Sequence, residues 1–205
     1  MTHRPVPLAA AVSGVASIVL LFVGEAIGGG SPDLTASRAK IADWIAQQHS
    51  GPAAYAGGVI ELLGVLATIL FAATLWSVLR GGDEDDGIAP ATAFGAGLIS
   101  AAVKLASFPA ALAAVWRHGD GINPQLGAAL IDMNNVSFVL TWTLDAVMLA
   151  AAATVIFRRG VLPRWLGWFG AVTAALLIVS APAADQVPPL GMLLVFVWIV
   201  ATSVV

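Results

Sequence analysis

Four ionisable side chains interrupt long apolar stretches of the chain. Glu25 lies near the C-terminal end of one stretch, while Glu61, Lys104 and Asp145 each lie well inside another. A charge at the centre of a bilayer costs about 2.5–3.5 kcal/mol on insertion scales, and more when it stays isolated. We therefore expect these side chains to face the interior of a helical bundle, where they can exchange protons or bind a charged solute.

Depth in the bilayer determines which of these charges can pair. At ~1.5 Å of rise per residue, Glu61, Lys104 and Asp145 fall within about 6 Å of one another in depth, near the midplane. We expect Lys104 to pair with Glu61, with Asp145 or with both, forming a ligand- or proton-binding site. The alternative is a structural ion pair that only specifies which helices pack together.

A second polar group lies near the outer end of the fourth apolar stretch, in the motif LIDMNN. It contains Asp132, Asn134 and Asn135, and Thr141 follows Asn134 at helical spacing. Together with Glu25, these residues are predicted to line the entrance of an outward-facing cavity. An ordinary hydrated helix end is the alternative interpretation.

The composition places these residues in a membrane. Of 205 residues, 59% are hydrophobic and 10% charged, and the mean hydropathy is +0.91. Soluble domains carry about 25% charged residues, so this composition indicates a helical integral membrane protein with the lipid bilayer as its partner. The net charge is −3 and the basic residues form no cluster, which argues against nucleic-acid binding.

Several kinds of chemistry lack the residues they need. There is no cysteine, which excludes disulfides and thiolate catalysis. His3, His49 and His118 lie outside the apolar stretches and far apart, so neither a metal site nor a cofactor is predicted. No nucleophile motif is present; we predict no catalytic residue and do not favour an enzyme.

Proline and glycine divide the chain into helices. The predicted fold is all-α: a single transmembrane domain, formed by a polytopic bundle of six spans, with one short amphipathic interfacial helix. The spans cover about 8–29, 53–79, 89–116, 134–157, 165–182 and 189–205, and the interfacial helix about 36–48. The last span ends without a polar cap, which leaves open a continuation past Val205.

The interfacial helix contains Ile41, Trp44 and Ile45 at helical spacing. We expect it to lie on the outer membrane face as a connector, with Trp44 at headgroup level. A lid over a cavity is the alternative role of this helix.

Basic residues indicate the orientation, since they concentrate on the cytoplasmic side. An N-terminus inside the cell places five of them on that side: Arg4, Arg80, Arg158, Arg159 and Arg164. It leaves three on the outer side: Arg38, Lys40 and Arg117. We therefore expect a multi-pass protein of the cell membrane with both termini cytoplasmic.

Two short motifs add to this description. GEAIG at residues 24–28 has the glycine spacing of a close helix contact, either within the bundle or between copies. In LPRWLGWFG, Trp165 and Trp168 follow a basic loop and are typical of an inner interfacial anchor. This segment resembles uncharacterised multi-span membrane proteins common in actinobacteria, which implies a helical bundle of about six spans and assigns no reaction.

Two functional hypotheses remain. The first is a membrane protein that binds or transports a small solute or a proton at the buried charged site. The second is a non-catalytic accessory or assembly subunit whose buried charges only specify helix packing, with a homo-oligomer or another membrane protein as partner. Secondary transporters place their sites at this depth, but the halves of this chain show no convincing internal repeat.

Overall fold

A computed structural model describes residues 8–49, 51–81 and 87–205 of the chain. These residues form helices joined by short turns, and they contain no strand. His3 and Arg4, which entered the predictions of metal binding and orientation, lie outside the described residues.

Seven α-helices follow one another along the described chain. They are α1 (Leu8–Gly28), α2 (Arg38–His49), α3 (Pro52–Arg80), α4 (Ile88–Trp116), α5 (Pro124–Arg159), α6 (Arg164–Ser180) and α7 (Leu190–Val204). A short 3₁₀ turn, Ala181–Ala183, extends α6. The chain is therefore all-helical where it is described, as its composition predicts.

Four helices are long and apolar enough to cross a membrane: Pro52–Arg80, Ile88–Trp116, Pro124–Arg159 and Arg164–Ala183. The apolar helices Val12–Gly28 and Leu190–Val204 are shorter. These two lie within the first and sixth predicted spans.

The fifth helix is longer than the span predicted from the sequence. It begins with Pro124 in its first turn. The side chain of Asn123, the residue before the helix, accepts a hydrogen bond of 2.8 Å from the Gln125 N–H. Proline at the start of a helix costs no hydrogen bond, because the first N–H groups have no partner within the helix. The predicted span, 134–157, omits the first turns, which follow Pro124 and contain the polar residues Gln125 and Asp132.

The six helices other than α2 form a closed ring in which neighbours run antiparallel. In the pair α1 and α3, Gly24 lies beside Gly57 and Leu21 lies beside Gly64. The ring closes where α7 packs on α1, with the rings of Phe22 and Phe196 5.5 Å apart. An even number of helices allows every neighbouring pair in a closed ring to be antiparallel, so short connections are enough.

One side of this ring, formed by α5, α6 and α7, is densely packed. Leu149, Leu166, Leu177 and Trp198 are fully buried there. The Trp198 indole Nε1 donates a hydrogen bond of 3.0 Å to the Leu166 carbonyl oxygen, so even its polar atom has a partner. We call this side the α6 side; α6 contributes no residue to the cavities described below.

Helix α2 covers one end of the ring. Ile41 and Ile45 are both 3% exposed and pack with Ala114 of α4 and with Ala128 and Ile131 of α5. The apolar face of α2 is therefore turned towards protein, which differs from the expected connector resting on lipid. The reason is the early start of α5, whose first turns supply the surface on which α2 packs.

The connection between α1 and α2 is fastened to α5. The Asn135 side-chain amide donates a hydrogen bond of 2.7 Å to the Pro32 carbonyl oxygen. Within the turn, the Thr35 hydroxyl donates a hydrogen bond of 2.8 Å to Asp33. This hydrogen bond, together with the nearby Lys40 ammonium, holds the pKa of the exposed Asp33 carboxyl below its usual value.

Candidate functional site

A close approach of α1 and α3 brings two glutamates together. A Cβ atom on Gly24 would lie 2.6 Å from the Glu61 Cγ, and one on Gly57 would lie 2.6 Å from the Gly24 carbonyl oxygen. Only glycine fits at these positions, and the GEAIG motif therefore marks a contact within the bundle. As a result, the carboxyl groups of Glu25 and Glu61 lie within hydrogen-bonding reach of each other. A hydrogen bond between two carboxyl groups requires one proton between them.

Helices α4 and α5 position the lysine. The Ser107 hydroxyl donates a hydrogen bond of 3.3 Å to the Asn134 side-chain oxygen, which joins the two helices next to Lys104. The Lys104 Nζ lies 5.3 Å from the centroid of the Phe138 ring. An ammonium over an aromatic face is attracted by the ring quadrupole, so Phe138 gives the lysine a partner inside the bundle.

The expected ion pairs of Lys104 are not formed at contact distance. Among the described residues, no carboxylate oxygen lies within 4.0 Å of Lys104 Nζ. Glu61 is near enough for a Coulomb attraction to the ammonium, but Asp145 interacts with the Ser100 hydroxyl instead. Asp145 lies seven residues beyond Phe138 on α5, or about 10 Å of helical rise. The Lys104 ammonium thus lies at the Phe138 ring and the Asp145 carboxyl beside Ser100, and the two are not paired.

A cavity of about 270 Å³ occupies the ring between α1, α3, α4, α5 and α7. We call it the main cavity. Seven of the eight residues predicted for the site or its entrance line it: Glu25, Glu61, Lys104, Asn134, Asn135, Thr141 and Asp145. Asp132 is half-buried and lines neither this cavity nor the second one. The structure thus brings together side chains from four helices that are far apart in sequence.

A smaller cavity of about 100 Å³ lies beneath α2. We call it the upper cavity. Five residues line both cavities and form a polar partition between them: Glu25, Ser31, Glu61, Lys104 and Asn134. Trp44 and Gln48 of α2 line the upper cavity, and the Trp44 Nε1 is buried without a hydrogen-bond partner. Helix α2 therefore acts as a cover over the polar partition.

The two halves of the main cavity differ in chemistry. Most of its wall below the partition is apolar, with Phe71, Met148, Val195 and Ile199 among the lining side chains. Asp145 is the ionisable residue in this apolar part, and its side chain is buried. The cavity therefore offers hydrogen bonds and charge at the partition, apolar contact below it, and one carboxyl group in the apolar region.

Sequence reasoning missed some residues of the site. Ser31, Trp44 and Gln48 were not predicted to line a cavity, because they lie in a loop and in a helix that was expected to rest on lipid. The Ser31 hydroxyl donates a hydrogen bond of 3.4 Å to the Asn135 side-chain oxygen. The contribution of α7, through Met192 and Phe196 among others, was also missed, because that helix carries no polar marker facing the cavity.

Within the described part of the chain, no group of three or more histidine, aspartate or glutamate side chains is arranged to hold a metal ion. The chemistry available in the cavity is that of carboxyl, ammonium, amide and hydroxyl groups.

The chain belongs to the DUF4386 family, a domain of unknown function, which matches residues 8–205. No curated protein and no solved structure matches the chain. The resemblance to an uncharacterised family is thus confirmed, and family membership assigns no reaction. The function has to be argued from the cavity.

Proposed function

We propose that this protein is a multi-pass membrane protein that binds a small amphipathic solute in the main cavity, as a carrier or a receptor for it. The observation that carries the proposal is the cavity itself: a partly open, mostly apolar space of about 270 Å³ with a polar partition at one end. Ligand pockets are typically apolar, with a few polar groups that orient the ligand, and range from ~300 Å³ upwards. The solute is therefore small.

Six membrane crossings are part of the proposal. Helix α1, with 21 residues, is about 31 Å long at the usual rise, close to the thickness of a hydrocarbon core. Helix α7 is shorter, but it packs antiparallel to both α1 and α6 within the ring. Arg80, Arg158 and Arg164 lie at the end of the ring opposite α2, which supports a cytoplasmic location for that end.

The alternative role, an accessory subunit whose charges only specify helix packing, has less support. A charge that specifies packing needs a partner across a helix interface, and Lys104 has no carboxylate within 4.0 Å among the described residues. Glu25, Glu61 and Lys104 face a shared cavity. That arrangement leaves their polar atoms available to a solute.

A proton is the second candidate for what the site handles. The proximity of the Glu25 and Glu61 carboxyl groups favours it, because two adjacent carboxyl groups beside a cavity can exchange a proton with each other and with a solute. Solute binding and proton exchange are compatible, since a solute that enters the partition would compete for the same hydrogen bonds.

Filling the cavity tests solute binding. Ala101 is 4% exposed and lines the main cavity, while its neighbour Ala102 is exposed on the outside of the ring. We would incubate lipid-nanodisc preparations of wild type, Ala101→Phe and Ala102→Phe with a metabolite extract of the expression host, and record native mass spectra.

We expect a small molecule bound to wild type and to Ala102→Phe but absent from Ala101→Phe. Wild type without any bound small molecule, or equal retention by both variants, would contradict the proposal.

A further inference from the structure

Asp145 is the ionisable residue of the main cavity that lies apart from the polar partition. It is 6% exposed, lines the cavity, and interacts with the Ser100 hydroxyl. No lysine or arginine nitrogen of the described residues lies within 4.0 Å of its carboxylate. The other ionisable residues of the cavity wall, Glu25, Glu61 and Lys104, lie together in the partition.

A buried carboxylate without a counter-charge is unfavourable. Breaking a buried ion pair by removing one partner typically costs about 3–5 kcal/mol, because the remaining charge has neither water nor a partner. A single hydroxyl donor, such as Ser100, does not replace a full positive charge. Such a group therefore needs a proton or a cation, and an ionisable residue within a membrane helix is a functional site by default.

We propose that the solute bound in the main cavity is an organic cation, a small apolar amine whose protonated nitrogen binds the Asp145 carboxylate. The inference rests on the proposed function, because it names the class of solute that the same cavity takes. The amine supplies the counter-charge that the chain itself does not place beside Asp145.

The surroundings of Asp145 suit this class of ligand. Ser100 offers a hydroxyl beside the carboxylate, and Met148 lies one turn further along α5 in the cavity wall. Phenylalanine side chains at positions 22, 71 and 196 also line the cavity. Apolar and aromatic walls around a single carboxylate bind the apolar body of an amine and the positive charge of its nitrogen together.

The charge distribution argues against an anionic ligand in the same place. A carboxylate or phosphate group near Asp145 would meet a like charge in an apolar environment. Lys104, the cation of the cavity wall, lies over Phe138 and is attracted by Glu61. An anion that bound Lys104 would also have to approach the two glutamates of the partition.

Three compounds of similar size and shape separate the possibilities: 2-phenylethylamine, 2-phenylethanol and phenylacetate. At neutral pH they carry a positive charge, no charge and a negative charge. Their binding would be measured by isothermal titration calorimetry on the full chain in lipid nanodiscs, with empty nanodiscs subtracted to remove partition into lipid. The variants are Asp145→Asn, which keeps the shape of the side chain, and Asp132→Asn, a matched change outside both cavities.

We expect wild type and Asp132→Asn to bind the amine at least about tenfold more tightly than the alcohol, and phenylacetate most weakly. Truncating one partner of a buried charged pair commonly has an effect of this size or more. In Asp145→Asn, the preference for the amine over the alcohol should fall to about one. If Asp145→Asn does not fold, the amine-to-alcohol ratio of wild type still tests the proposal.

Equal binding of amine and alcohol by wild type would overturn the assignment of a cationic ligand, as would tight amine binding by Asp145→Asn. Alcohol binding that disappears in Ala101→Phe would then leave the solute-binding function standing without this inference. If none of the three compounds bound, and the native mass spectrum of wild type showed no bound small molecule, both the cationic ligand and the solute-binding function would be rejected.

Discussion

The α6 side of the ring and the side that encloses the cavities are built from similar residues but packed differently. On the α6 side, large side chains such as Leu149, Leu166 and Trp198 are fully buried, and the Trp198 N–H has a hydrogen-bond partner. On the cavity side, α1, α3, α4, α5 and α7 surround the main cavity of about 270 Å³. The comparison indicates that dense packing and ligand access are assigned to different sides of the bundle, with α5 and α7 contributing to both.

The physical basis of this difference is the kind of contact that each side uses. Within a membrane, helices associate through close packing and hydrogen bonds, because the lipid is as apolar as the side chains. The α6 side satisfies this requirement with complementary large side chains. The cavity side satisfies it along the α1–α3 contact, where glycines allow the backbones to approach, and between α4 and α5, which the Ser107–Asn134 hydrogen bond joins.

The largest effect on stability is expected on the α6 side. Trp198→Ala removes a fully buried indole and its hydrogen bond, and should lower the free energy of unfolding by about 3–5 kcal/mol. Trp168→Ala, at a position 66% exposed, is the matched control and should change it by less than about 1 kcal/mol. Unfolding by titration with a denaturing detergent would measure both. Similar losses in the two variants would show that the buried indole does not stabilise the α6 side more than an exposed one does.

An intermediate effect is expected where α1 and α3 meet. In Gly57→Ala, the new Cβ would collide with the backbone of Gly24 and Gly28, so the helices must separate. We expect a loss of about 1–3 kcal/mol, as for other overpacked contacts. Gly95→Ala adds the same methyl group in open space and should be neutral or slightly stabilising. A neutral Gly57→Ala would show that the close contact is not required.

The smallest effect on stability, accompanied by weaker ligand binding at the partition, is expected at Lys104. Because the ammonium contacts an aromatic ring and makes no salt bridge, Lys104→Met should cost about 0.5–2 kcal/mol. Lys40→Met removes an exposed lysine of α2 and should have little effect on either property. Detergent unfolding and native mass spectra would be recorded for both variants.

A loss of several kcal/mol in Lys104→Met, with the bound molecule retained, would instead favour the role in helix packing. It would show that the lysine is required for the fold and not for the solute.

Helix α5, on the cavity side, shows how much of the site could be predicted from residue spacing along a helix. Spacing along α5 correctly grouped Asn134, Thr141 and Asp145 on one face, because residues three or four apart lie on the same side of a helix. Asp132 was added to that group only because it belongs to the polar run LIDMNN, and it lines neither cavity. In a polar run at a helix end, a difference of two residues turns a side chain away from its neighbours.

Helix α2 shows that residue spacing marks an apolar face but does not predict what that face packs against. Ile41 and Ile45 marked its apolar face, but an apolar face can contact lipid or protein equally well. The choice depended on the additional turns of α5 that begin at Pro124, which lie outside the predicted span and supply Ala128 and Ile131.

The sequence by itself determined that the protein is helical and apolar, where its joints lie, and which ionisable residues interrupt the apolar stretches. These properties depend on composition and on spacing within a few residues. Only the tertiary structure decided that Glu25 meets Glu61, that Lys104 lies over Phe138, and that Asp145 has no cation beside it. Those contacts depend on the relative depth and rotation of helices that are distant in sequence, which packing across the ring sets and local periodicity does not encode.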